Sequence, residues 1–181
     1  MPRLEEIAYD GFYEKTKRLG LSEVLEETRR ILSGFELRVM EKKDSNGGAA
    51  VRELIDERFE SALGWKKKQT GDVDWTKCHR ANGTEVCLGV EVQMSARSDL
   101  LVMDIYHLRT GMIEGRIDVG VLAVPSDALG VFLTDRAPCL SDAKRHVDGA
   151  RATDLPLLLI GLTHDGPGEA LAKKYKGTKA S

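Results

Sequence analysis

Four side chains able to hold a hard cation or orient a water molecule, Asp72, Asp74, Glu91 and Gln93, stand on either side of an Asn82-Gly83 pair. Asn-Gly between two strand-like runs is a strong signal for a two-residue hairpin, because both turn residues must accept positive φ. With Ala81 facing Thr84, Asp74 falls opposite Glu91 and Asp72 opposite Gln93, and directly opposed side chains are close enough to share a ligand. Alternation puts all four on one face and Val73, Trp75, Val86, Leu88, Val90 and Val92 on the other, so one face can bury while the other does chemistry. Two opposed carboxylates repel unless a cation lies between them, and oxygen donors of this kind suit Mg²⁺ or Mn²⁺. The chemistry implied is metal-assisted attack by water. A bulge of one residue would make Asp72 rather than Asp74 the partner of Glu91, and the same acids would also suit an ordinary solvated sheet face.

The elements that must position these residues are legible from periodicity. From Ser22, a residue type that caps helices, Val24, Leu25, Thr28, Ile31 and Leu32 fall on one face and Gly34 follows the end, which predicts an amphipathic helix. Residues 4–19 also read as helical, interrupted by Gly11. A short strand is expected at 35–40, followed by a turn-rich surface loop, Lys42-Lys43-Asp44-Ser45-Asn46-Gly47-Gly48. A helix over 49–63 carries Glu53, Glu57 and Glu60. Beyond the hairpin, Ser98 can cap a helix in which Leu101, Ile105, Leu108 and Met112 repeat at helical spacing, a pattern of core packing or of a subunit interface. Residues 117–124 and 155–162 are apolar runs of strand length without alternation, as expected for strands covered on both sides, and Ser141 can cap a helix between them. The fold class is α/β.

At 181 residues, with 41% hydrophobic and 31% charged residues, the chain can bury the core of one enzyme domain. It divides into a helical region at 1–48, a core at 49–165 and a tail at 166–181. No apolar run reaches membrane-spanning length and the first residues lack a signal-peptide pattern, so a cytoplasmic location is expected. The formal net charge of −2 removes any global basic footprint for nucleic acid, although Lys66-Lys67-Lys68 could contact phosphates as readily as form a solvated loop. Three cysteines make an odd count, which argues for a reducing compartment. The hairpin register sets Cys78 opposite Cys87, where a disulfide is geometrically conceivable but two small buried thiols are the expectation, with no metal assigned to them. There is no internal repeat, Walker sequence, dinucleotide-binding loop or serine-nucleophile elbow.

An Asp, a hairpin-length gap and then Glu91-Val92-Gln93 resemble the core of the PD-(D/E)xK nucleases, in the variant of the BglII/BstYI-type type II restriction endonucleases. The segments Val51 to Ile55 with Leu63-Gly64-Trp65, Gly115 to Val121 and Asp154 to Leu158 resemble that family's helix and later strands, so the likeness spans about residues 50–165. It implies a central mixed β-sheet with a catalytic hairpin flanked by helices, and Mg²⁺-dependent hydrolysis of double-stranded DNA at a short palindrome. Asp74 and Glu91 would hold the metal and the Val92 carbonyl would complete its ligation. Gln93 stands where most of the superfamily has Lys; it can orient a water or phosphate but supplies no charge. The superfamily often contributes an acid from the preceding helix, here Glu57, with Glu53 as the alternative. The likeness further implies a homodimer astride its palindrome and a companion DNA methyltransferase. Two alternatives stand beside it: a structure-specific repair or recombination nuclease of the same superfamily, and a non-catalytic DNA-binding module of the same fold.

Overall fold

The computed structural model of the chain describes residues 2–68, 73–81, 83–94, 98–134, 137–150 and 152–173. Its elements run β1 (Leu4–Ala8), α1 (Phe12–Arg18), α2 (Ser22–Ser33), β2 (Arg38–Val39), α3 (Gly48–Ser61), β3 (Lys66–Lys67), β4 (Trp75–Ala81), β5 (Thr84–Val92), α4 (Ser98–Ile113), β6 (Val119–Pro125), α5 (Asp127–Gly130), α6 (Leu140–Gly149), β7 (Leu157–Leu162) and β8 (Gly166–Pro167). Six strands form one mixed sheet in the order β1-β7-β6-β5-β4-β3. Its centre, β5-β6-β7, is parallel, while β1, β4 and β3 join antiparallel on the two sides. Every residue of β6 and β7 is buried, as their unbroken apolar runs require. On one face α2 and α3 pack Leu25, Leu32, Ile55 and Phe59 against the sheet; on the other α4 and α6 bring Leu101, Leu108, Ala143 and Val147.

Several sequence expectations are corrected. Residues 4–8 are strand rather than helix: they pair with β7 from Leu4↔Leu162 to Ala8↔Leu158, and Asp10 and Gly11, both at positive φ, turn the chain before α1. Leu21, not Ser22, stands at the cap of α2, and Cys139, not Ser141, caps α6. At α6 the Asp142 carboxylate accepts the Cys139 backbone N–H at 3.2 Å, so the capping box starts two residues earlier than expected. The strand expected at 35–40 is reduced to Arg38–Val39, paired in parallel with β8. The following loop is not merely superficial. Asn46 is fully buried in it, its amide donating to the Met40 and Phe132 carbonyls and accepting from the Met40 and Leu171 backbone N–H groups. A buried amide must find such partners, and this one thereby ties three distant segments together.

The hairpin register is the expected one, from Trp75↔Val90 through Cys78↔Cys87 to Ala81↔Thr84. Cys78 and Cys87 are joined by a disulfide across that pair, Cα to Cα 4.1 Å, in place of the two free thiols expected; direct opposition at a close-spaced pair brings the sulfurs together. Val73 departs from the expected face and packs on the α4 side with Ile117, because β4 begins only at Trp75 and the chain bends at Asp74. Phe59 of α3 stacks on Trp75 at 5.2 Å between ring centres and meets Trp65 edge-on at 4.8 Å, which locks α3 onto the start of the hairpin. No helix among the described residues is long and apolar enough to cross a membrane.

Candidate active site

The bend that reverses Val73 also aims Asp74 across the hairpin. Its Oδ2 accepts the Val92 backbone N–H at 3.0 Å, and its carboxyl group is hydrogen-bonded to that of Glu91. Glu91 lies on the central part of the sheet, paired in register with Leu122 of β6, and α4 covers its face, so it is only 1% exposed. Gln93 continues the line, its backbone N–H bonded to the Ala123 carbonyl at 2.8 Å and its side-chain Nε2 donating to Asp104 Oδ2 at 2.9 Å. Asp74, Glu91 and Gln93 thus do not stand on an open, solvated face. They form the floor of a site roofed by α4.

The electrostatics follow from that burial. Desolvation, the Asp74 hydrogen bond and the charges of Asp74 and Asp104 push the Glu91 carboxyl up to about 11, so in the absence of a cation it holds the proton it shares with Asp74. Burial works against the charge of Asp74 too, but the hydrogen bond from Glu91, the Arg52 guanidinium and the Val92 N–H outweigh it and keep Asp74 below the usual carboxylate range. Asp104, half-buried, is raised to about 6 by desolvation and by the nearby charge of Asp74. His107 brings Nδ1 to 3.2 Å from Glu91 Oε1. Donor atoms of Glu91, Asp104 and His107 lie within 4.8 Å of one another, a spacing that could hold a metal ion. Three acids converging in a buried site, with a backbone carbonyl beside them, fit a divalent cation: such a charge neutralises repulsion that protonation now relieves.

From α3 the residues that reach the site are Arg52 and Asp56. The Arg52 guanidinium bonds Asp56 Oδ1 through Nε at 2.9 Å, faces Asp74 Oδ2 with Nη2 at 3.1 Å, and donates from Nη1 to the Val92 carbonyl. Asp56 Oδ1 also accepts the Trp75 indole N–H at 3.1 Å. Glu57 and Glu53 are exposed and sit on the open side of α3, in a groove shared with Arg52 and Asp56. Asp72 lies outside the described residues. Of the predicted residues, Asp74, Glu91, Gln93 and the Val92 backbone therefore meet, and Glu57 stands apart. Sequence reasoning missed Arg52, Asp56, Asp104 and His107. A signal existed in each helix: Arg52 and Asp56 are four apart, and Asp104 and His107 three apart, so each pair shares a face.

A central mixed sheet, helices on both faces and a hairpin that delivers Asp and Glu-x-Gln define a restriction-endonuclease-like fold. The sequence model of the family described as "Restriction endonuclease BglII/BglIII" matches residues 20–162, well over half of the chain. The chain belongs to this family of type II restriction endonucleases, hydrolases of phosphodiester bonds in double-stranded DNA. No curated protein matches it.

Proposed function

We propose that the enzyme cleaves both strands of a short DNA palindrome using Mg²⁺, with Mn²⁺ able to replace it. The observation that carries the reading is the direct contact of the Asp74 and Glu91 carboxyl groups, with the Val92 carbonyl brought close to Asp74 by the Arg52 guanidinium that bonds both. Asp74, Glu91 and the Val92 carbonyl would hold the ion, which when bound would supply Lewis-acid stabilisation of the scissile phosphate and a lowered pKa for an attacking water. Gln93 has its Nε2 engaged by Asp104, which leaves its amide oxygen to accept from that water and orient it. Burial of Glu91 excludes bulk solvent and strengthens each electrostatic interaction there. We assign Glu57 no part in ligation, since Arg52 and Asp56 occupy the side of α3 that faces the hairpin.

A palindrome calls for a two-fold reader, and α4 offers a surface for one: Val102, Met103, Tyr106 and Ile113 are about half exposed on it. The reading also implies a companion methyltransferase to protect host DNA, and with it a cytoplasmic location. The test is a digest of unmethylated bacteriophage DNA by the wild type and Glu91→Ala, with Mg²⁺ and with EDTA. Discrete metal-dependent bands that vanish in the variant support the reading. Smears point to a structure-specific nuclease, and intact DNA under every metal condition to a binding module.

A further inference from the structure

Two of the three partners of Arg52, Asp74 Oδ2 and the Val92 carbonyl oxygen, belong to groups that the proposed metal would use. The third, Asp56, is anchored independently by the Trp75 indole, and the Phe59–Trp75 stack holds the same stretch of α3 against the hairpin. A guanidinium carries a permanent charge and a planar fork of donors, so it can satisfy a carboxylate and a carbonyl at once, as a cation would. Gln93 adds no positive charge. The side chain of Arg52 is three-quarters buried, so its charge is screened little by solvent.

We propose that Arg52 acts as the resident cation at Asp74 and the Val92 carbonyl before metal binds: it holds these two groups in their ligating arrangement, and the divalent ion must displace it from them. Asp56 is the anchor about which the guanidinium gives way. The inference rests on the assignment of Asp74, Glu91 and Val92 as metal ligands. Its consequence is that Arg52 tunes affinity downward, since the incoming ion meets a like charge and donors already in use, while the ligands stay ordered without metal.

The test is direct titration of the purified full chain with Mn²⁺, by calorimetry and electron spin resonance, for the wild type, Arg52→Gln, Arg52→Lys and Glu91→Gln, with thermal unfolding of each in EDTA and in saturating Mn²⁺. Arg52→Gln keeps an amide donor and loses the charge. It is expected to bind Mn²⁺ on the order of tenfold more tightly, and to melt lower than the wild type in EDTA but level with it in Mn²⁺. Arg52→Lys is expected to stay near wild-type affinity. Unchanged or weaker binding by Arg52→Gln, or an equal loss of melting temperature with and without metal, would mean that Arg52 only holds α3 to the hairpin, and would overturn the proposal. Mn²⁺ binding that survives in Glu91→Gln would overturn it differently, by showing that the ligand assignment itself fails.

Discussion

Glu91→Gln is expected to abolish cleavage and, in EDTA, to make the protein more stable than the wild type at neutral and alkaline pH. The change keeps the shape of a side chain that is 1% exposed and removes the carboxyl group that meets Asp74 and faces Asp104. Without metal, the folded wild type carries a proton on Glu91 up to about pH 11, whereas the unfolded chain releases it near 4.5. Above 4.5 the folded state therefore binds more protons than the unfolded one, and stability falls as pH rises, by about 1.4 kcal/mol per pH unit for one proton. Between pH 7 and pH 9 that amounts to about 3 kcal/mol. For a chain of this size each kcal/mol moves the melting temperature by about 2–4 °C, so the wild type should lose roughly 6–12 °C relative to the variant. Asp104, raised to about 6, is ionised throughout this window and adds no slope. The assay is scanning calorimetry of both proteins in EDTA at half-unit pH steps. Parallel curves would refute the reasoning, because they would mean that Glu91 is ionised in the folded protein and some other group compensates it.

Asp74→Asn removes a charged donor and is expected to weaken Mn²⁺ binding by more than roughly 100-fold, measured by calorimetric titration, since even indirect supports of metal ligands are worth 10–100-fold. Arg29→Met breaks the two-pronged pair in which Nε and Nη2 reach the Glu6 carboxylate at 2.7 and 2.6 Å, at a cost of about 1–3 kcal/mol in urea unfolding at pH 7. Burial opposes the Glu6 charge but the Arg29 hydrogen bonds outweigh it and hold its pKa below 4.5, so the pair's contribution is present above that pH and the gap between the two proteins should narrow as the solution is acidified below it. Gly47→Ala would set a methyl carbon 2.1 Å from the Ala172 carbonyl oxygen, a clash with backbone that costs about 1–3 kcal/mol and should speed hydrogen exchange near Leu171. Reduction of the Cys78–Cys87 bond, nine residues apart in sequence, should lower stability by about 2–3 kcal/mol, read as a drop in melting temperature with dithiothreitol that a Cys78→Ser/Cys87→Ser protein does not show.

Much of the site is legible in the sequence. The Asn-Gly pair pointed to the hairpin and its register, which holds as far as Trp75↔Val90, and the expected meeting of Asp74 with Glu91 is made by the bend at Asp74 rather than by strand pairing. The helices at Ser22–Ser33 and Ser98–Ile113 followed from spacing, as did the twice-covered strands β6 and β7, and the helix at Gly48–Ser61 followed from the family resemblance. What failed were judgements that needed knowledge of partners. Leu4–Ala8 has no periodicity that separates one short strand from a helical turn, and only β7 makes it a strand. Asn46 reads as a turn residue until Leu171 and Phe132 arrive beside it from far along the chain.

The sequence by itself determined the local facts: which residues alternate, which repeat at helical spacing, where the chain can turn, and that two acids would oppose each other across a turn. These follow from φ, ψ preferences and side-chain period, which act between near neighbours. Only the tertiary structure decided the environment of those acids. That α4 roofs Glu91, that Arg52 reaches Asp74 and Val92 from α3, and that Gln93 meets Asp104 all depend on how helices are laid across a sheet. Such contacts join segments up to 40 residues apart. They are chosen by the burial of whole faces, a sum over many side chains that no local pattern contains.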